Sequence, residues 1–129
     1  MTSIETGLSR IHQLSIRVHD VNRAVTFYRD ALGLPFLFAA PPRLAFFTCG
    51  GVRLMLSTPE PGFDHPGSVI YFGVDDIKGT HAELAARGVT FKTTPHRVAT
   101  LADREVWLAD FGDTEGNTLA LMSEPRITS

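Results

Sequence analysis

At 129 residues, with 43% hydrophobic and 20% charged side chains, the chain is sized for one domain with a real core and is too evenly composed to be disordered. A formal net charge of −2 supplies no basic field, which argues against a nucleic-acid partner, because backbone binding needs clustered Lys and Arg. The single Cys49 makes no internal disulfide, no apolar run has membrane-spanning length, and residues 1–5 lack a signal-peptide core, so the expected setting is the cytoplasm with no membrane partner.

Residues 11–18 alternate Leu14, Ile16 and Val18 with Gln13, Ser15 and Arg17, the period of a strand with two unlike faces. Asp20 then caps a predicted helix over 21–32, whose apolar stripe is Val21, Ala24, Val25, Tyr28 and Leu32 and whose stop is Gly33. Strands are expected at 36–39, 44–48 and 52–57, the last two joined by Cys49-Gly50-Gly51, since paired glycines accept the positive φ of a tight hairpin. A linker rich in proline and glycine occupies 58–67. The order then repeats: a strand at 69–74, a helix over 77–87 capped by Asp76 and stopped by Gly88, and strands at 89–92, 105–110 and 118–122. Residues 95–104 read as a loop crossing a cavity mouth, and 124–129 as a frayed tail. Two copies of one strand, cap and glycine-stop unit are too few for a solenoid and suggest a pseudo-twofold fold with its site between the halves.

The run from Val18-His19-Asp20-Val21 through Phe27-Tyr28-Arg29-Asp30-Ala31-Leu32-Gly33-Leu34 resembles the first-module signature of the vicinal oxygen chelate superfamily, which includes glyoxalase I, bleomycin-resistance proteins and extradiol dioxygenases. Asp113-Thr114-Glu115-Gly116-Asn117-Thr118-Leu119-Ala120-Leu121 is similar to that superfamily's closing segment, so the resemblance spans about residues 10–123. It implies an α+β fold in a single domain: two βαβββ modules, one at 8–57 and one at 68–123 across the 58–67 linker, forming a half-open, curved mixed-sheet barrel with the helices outside. It also implies a homodimer.

Metal-dependent members of that superfamily place four ligands on inward-facing strand positions, two from each module. By the strand-to-aspartate spacing those positions are Gln13, Met55, Val69 and Ala120 here, and only Gln13 carries a nitrogen or oxygen donor. No metal ligand set and no cofactor is therefore expected.

If Gln13 faces inward, alternation selects Ser15, Arg17, Arg53, Met55, Ser57, Val69, Tyr71, Thr118, Ala120 and Met122 as well. Apolar surface with a few directional polar groups suits a small organic molecule, although Met55, Val69 and Ala120 serve equally well as core. Phe46, Phe47 and Trp107 are candidates to cover a flat ligand. The expected ligand-binding set is Gln13, Ser15, Phe47, Arg53, Met55, Tyr71, Trp107 and Ala120. His96 and Glu105 form a candidate acid–base pair, because imidazole titrates near neutrality and a carboxylate can orient it. His19, His65 and His81 read as solvated, and Cys49 has no adjacent base. Three readings stay open: a metal-free binding protein for a partly aromatic molecule, a metal-independent lyase or isomerase using His96 and Glu105, and a metal-dependent glyoxalase-like lyase or dioxygenase.

Overall fold

The structure, a computed structural model, describes residues 7–8, 10–40, 42–59 and 67–127. The first half runs β1 (Gln13–Arg17), α1 (Val21–Thr26), a π-helical turn (Phe27–Ala31), β2 (Phe36–Ala40), β3 (Leu44–Cys49) and β4 (Val52–Ser57). The second runs β5 (Ile70–Gly73), α2 (Ile77–Ala86), β6 (His96–Thr100), β7 (Glu105–Gly112) and β8 (Thr118–Ser123). Each half is a four-stranded mixed sheet of the same plan, ordered β1-β4-β3-β2 and β5-β8-β7-β6, with the first strand parallel to the last and the other pairs antiparallel. Among the described residues no helix is long and apolar enough to cross a membrane.

Local chemistry explains the elements. The Asp20 side chain accepts from the Arg23 amide and that of Asp76 from the Gly79 amide, each satisfying a free N–H at a helix start. The first helix widens after Thr26, where the Leu32 amide bonds to the Phe27 carbonyl, and Gly33 at φ 75° carries the chain out. Gly50 and Gly51, at φ 56° and 85°, make the hairpin that sets Cys49 opposite Val52.

Each helix covers one face of its own sheet. Val21, Ala24 and Tyr28 of the first helix pack with Ile16, Ala45, Phe47, Leu54 and Leu56, while Ile77 and Leu84 of α2 pack with Ala109, Phe111, Leu119 and Leu121. Because side chains alternate along a strand, the opposite face of each sheet is free of helix, and that open face carries Gln13, Ser15, Arg53 and Met55 on one sheet and Tyr71 and Ala120 on the other.

The two halves are fastened by the turn between β7 and β8. Glu115, whose side chain is fully buried, accepts from the amides of His19 and Asp20 at 2.8 and 2.9 Å and from Arg23 Nε and Nη2 at 2.7 and 3.0 Å. Burial alone would raise this carboxyl. The Arg23 guanidinium, the Thr114 hydroxyl and the two amides outweigh burial and hold it at about 2. Beside it, Asp113 accepts from the buried Tyr28 hydroxyl at 2.8 Å, and Asn117 Nδ2 donates to the Arg17 carbonyl of β1. Burial pushes the Tyr28 hydroxyl far above its ordinary range, with the Asp113 charge adding to it, so Tyr28 is a neutral donor here.

Several sequence expectations are corrected. Residues 89–92 form no strand: Phe91 makes a single bridge to Phe111, and Lys92 and Thr93 donate to the Asp110 carbonyl. The strand comes later, since β6 lies within the stretch expected as a loop and pairs with β7 around an irregularity between Arg97 and Ala99. Its five residues are all exposed, so no buried face writes an alternation into the sequence. Residues 124–127 are paired rather than frayed, with Glu105 and Ile127 amides donating to the Pro125 and Asp103 carbonyls. His81 packs its ring 4.2 Å from that of Phe91 instead of standing in solvent. The expected linker at 58–67, including His65, lies largely outside the described residues.

Candidate functional site

The open face of the first sheet is built by cross-strand register. Gln13 sits opposite Arg53, Ser15 opposite Met55, Met55 opposite Phe46 and Phe46 opposite Phe38, so these side chains share one side of the ladder. Phe38 and Phe46 stack with centroids 4.6 Å apart at 29°. Arg53 lays its guanidinium carbon 5.5 Å from the Phe46 centroid and donates from Nε to Gln13 Oε1 at 2.6 Å. The Gln13 amide nitrogen points to the Met55 sulfur at 3.8 Å, and the Ser15 and Ser57 hydroxyls lie 3.3 Å apart.

On the second sheet Tyr71, Ala120 and Asp110 occupy one row. Tyr71, on edge strand β5, is 51% exposed, whereas Ala120 on the neighbouring inner strand β8 is fully buried. A groove of about 450 Å³ runs along the seam between β1 and β5, lined by Ser15 and Arg17 from one half and by Val69, Tyr71 and Asn117 from the other. Its size falls in the range of small-molecule sites.

Three expected site residues lie elsewhere. Phe47 is completely buried against Tyr28 and Phe36 on the helix side, and its neighbour Phe46 faces the open side instead. Trp107 packs toward α2, with Lys78 Nζ 5.2 Å from its ring, and its indole N–H donates to Glu105 at 3.0 Å. Glu105 also receives Arg97 at 3.1 Å, and the Trp107 and Arg97 bonds hold its carboxyl below the usual range despite some burial. His96 pairs with Leu108, three positions from Glu105 on β7, which puts His96 and Glu105 on opposite faces of the sheet. Glu105 therefore does not orient the imidazole. That is done by the Thr94 carbonyl, 2.8 Å from His96 Nδ1.

Gln13, Met55, Val69 and Ala120, the positions the resemblance assigns to metal ligands, carry one amide, whose oxygen is already taken by a cationic guanidinium, one thioether and two hydrocarbons. Cys49 is half-buried, and burial raises its thiol above the ordinary value, which disfavours the nucleophilic thiolate.

Of the stacked pair, sequence reading named Phe46 as a cover for a flat ligand but placed Phe47 rather than Phe46 in the ligand-binding set, and it missed Phe38. The signal was present: with Cys49 opposite Val52, Met55 must face Phe46, and an inward Met55 requires an inward Phe46.

Comparison with known proteins agrees with the fold. An uncharacterized protein of Bacillus subtilis (strain 168), YraH, is 26% identical over 129 residues, spanning 87% of this chain and 96% of its own. The structure of TnmS3, an antibiotic binding protein from Streptomyces sp. CB03234, superposes with a TM-score of 0.75 at 25% identity, covering 94% of this chain and 100% of that one. A lactoylglutathione lyase from Agrobacterium tumefaciens superposes with a TM-score of 0.74 at 23% identity, over 89% and 93% of the two chains. The model of the Glyoxalase/Bleomycin resistance protein/Dioxygenase superfamily matches residues 10–121, and with that match over nearly the whole chain the protein belongs to this superfamily.

Proposed function

We propose that the protein binds a small, partly aromatic organic molecule on the open faces of its two sheets, in the cytoplasm, without a metal ion at the superfamily's ligand positions. The observation that carries this reading is the stacked, solvent-facing Phe38–Phe46 pair beside Arg53 and Gln13, an aromatic surface with few polar groups and no core role. Ser15, Met55 and Tyr71 extend that surface. The likeness to an antibiotic binding protein is consistent with sequestration of such a molecule. The separation of His96 from Glu105 weakens the lyase or isomerase alternative that rested on their pairing.

The metal-free part rests on chemistry rather than on vacancy. A divalent ion needs several nitrogen or oxygen lone pairs to replace its water, and Met55, Val69 and Ala120 offer none. The residues at these positions do not fit the ion that glyoxalase-type members hold.

The test is titration calorimetry with a panel of planar aromatic compounds, followed by recovery of the bound compound. Phe46→Ala should lower affinity by about tenfold or more, because it removes most of a ring contact, and the compound should be recovered unchanged. Affinity indifferent to Phe46→Ala, or steady conversion of the compound, would count against this reading.

We further propose that the protein is a homodimer. Phe36 and Leu37 on β2 and Val98 on β6 are exposed on edge strands, which are surfaces that association covers while the Phe38–Phe46 pair stays open to ligand. Light scattering at micromolar concentration should give twice the mass of one chain. A single-chain mass would contradict it.

A further inference from the structure

Charge on the open face of the first sheet has one sign. Strands β1 to β4 contain Arg17 and Arg53 and not one carboxylate. On the second sheet Glu105 is turned to the helix side and already paired, which leaves Asp110 as the strand carboxylate of the open face. Lys92 brings a further cation to that face, donating to Thr118 Oγ1 at 2.7 Å. Among the described residues, cations therefore outnumber anions on the open faces where the ligand is proposed to sit.

Arg53 is also held ready. Its Nε is fixed by Gln13, its guanidinium carbon lies 5.5 Å from the Phe46 centroid, and its Nη groups have no hydrogen-bond partner among the described residues. A guanidinium restrained in this way loses little freedom when a ligand arrives, and its fork matches the two oxygens of a carboxylate. An aromatic pair stands beside the fork, and a planar ring gains most from such a neighbour. Residue by residue, the second sheet adds Tyr71, a half-exposed ring whose hydroxyl suits a polar substituent.

We infer that the ligand is a planar aromatic acid, its carboxylate in the Arg53 fork and its ring against Phe38 and Phe46. This rests on the binding function proposed above and adds the sign of the ligand's charge and the residue that reads it. Gln13 acts as a positioning residue, because its amide oxygen holds Arg53 without neutralising it. A carboxylate at the same place would pair with the guanidinium and repel the ligand.

The experiment uses three probes of one shape: naphthoate, naphthamide and naphthylmethylammonium. By calorimetry the wild-type protein should bind naphthoate at least about tenfold more tightly than naphthamide, the ratio one charge-assisted bidentate contact supplies. Arg53→Met keeps an unbranched stem at that position and should erase that preference, with naphthoate losing at least about tenfold in affinity and naphthamide losing less. Gln13→Glu should erase it as well with Arg53 still present, and thermal melting of both variants checks that they fold. Equal binding of acid and amide by the wild-type protein, or a preference for the ammonium, would overturn this inference while leaving the binding function standing. Failure of all three probes to bind at millimolar concentration would remove both.

Discussion

Replacing Glu115 with alanine should destabilise the protein by about 2–4 kcal/mol in urea unfolding, because the His19 and Asp20 amides lose their buried acceptor while the half-exposed Arg23 returns to water. The carboxylate is the meeting point of two helix-start amides, a guanidinium and a hydroxyl, and those donors are separated from it by more than ninety residues of sequence except for Thr114. Its removal leaves the His19 and Asp20 amides without their acceptor and releases the β7–β8 turn from the first helix. The pH dependence follows from the same contact. The folded carboxyl sits at about 2, below the value of about 4.3 typical of an unfolded chain. Its contribution is therefore complete above the unfolded value and is lost as pH falls from there toward 2. Wild-type stability should drop across that window, and Glu115→Gln should flatten the drop. Asp30→Ala, which breaks only the exposed Arg29–Asp30 pair, should leave the urea midpoint where it is. An unmoved midpoint in Glu115→Ala would show that the joint does not hold the halves together.

Donors placed at Met55, Val69 and Ala120 should create a metal site where these three side chains offer no nitrogen or oxygen ligand. Met55→Glu, Val69→His and Ala120→Glu combined with the native Gln13 should raise zinc or nickel affinity at least ~10³-fold, since a full set of nitrogen and oxygen ligands replaces hydrocarbon. Arg53 competes for a glutamate at position 55, so Arg53→Met in the same background should tighten the site further. Metal analysis of the wild-type protein returning about one zinc, nickel or iron per chain, lost in Gln13→Ala, would contradict the account of these positions.

How far the sequence reached can be followed residue by residue. Asp20, Gly33, Asp76 and Gly88 mark both helices, because caps and stops are local chemistry. The open-face assignments of Gln13, Ser15, Arg53 and Met55 follow from alternation in two strands that each bury one side. Phe47 and Trp107 were misplaced because aromatic residues stand on both faces of these strands, so residue type alone does not say which way a ring points. Counting outward from the Gly50-Gly51 turn resolves Phe46 from Phe47, while Trp107 needed the register of β7 with β8. Edge strand β6 left no trace because nothing covers it. Glu115 was legible only as part of a polar turn, since its partners come from the other half of the chain.

A ligand seated on the open faces of the sheets leaves its footprint in the amide chemical shifts followed by NMR during a naphthoate titration. Shifts are expected at Gln13, Phe46, Arg53 and Met55, extending to Tyr71, with little change at Phe47 or Trp107 on the helix side. A second groove, of about 480 Å³, lies outside the sheets against Arg23, Phe27 and Arg87. Shifts gathered there, with Gln13, Phe46 and Arg53 unmoved, would contradict the account.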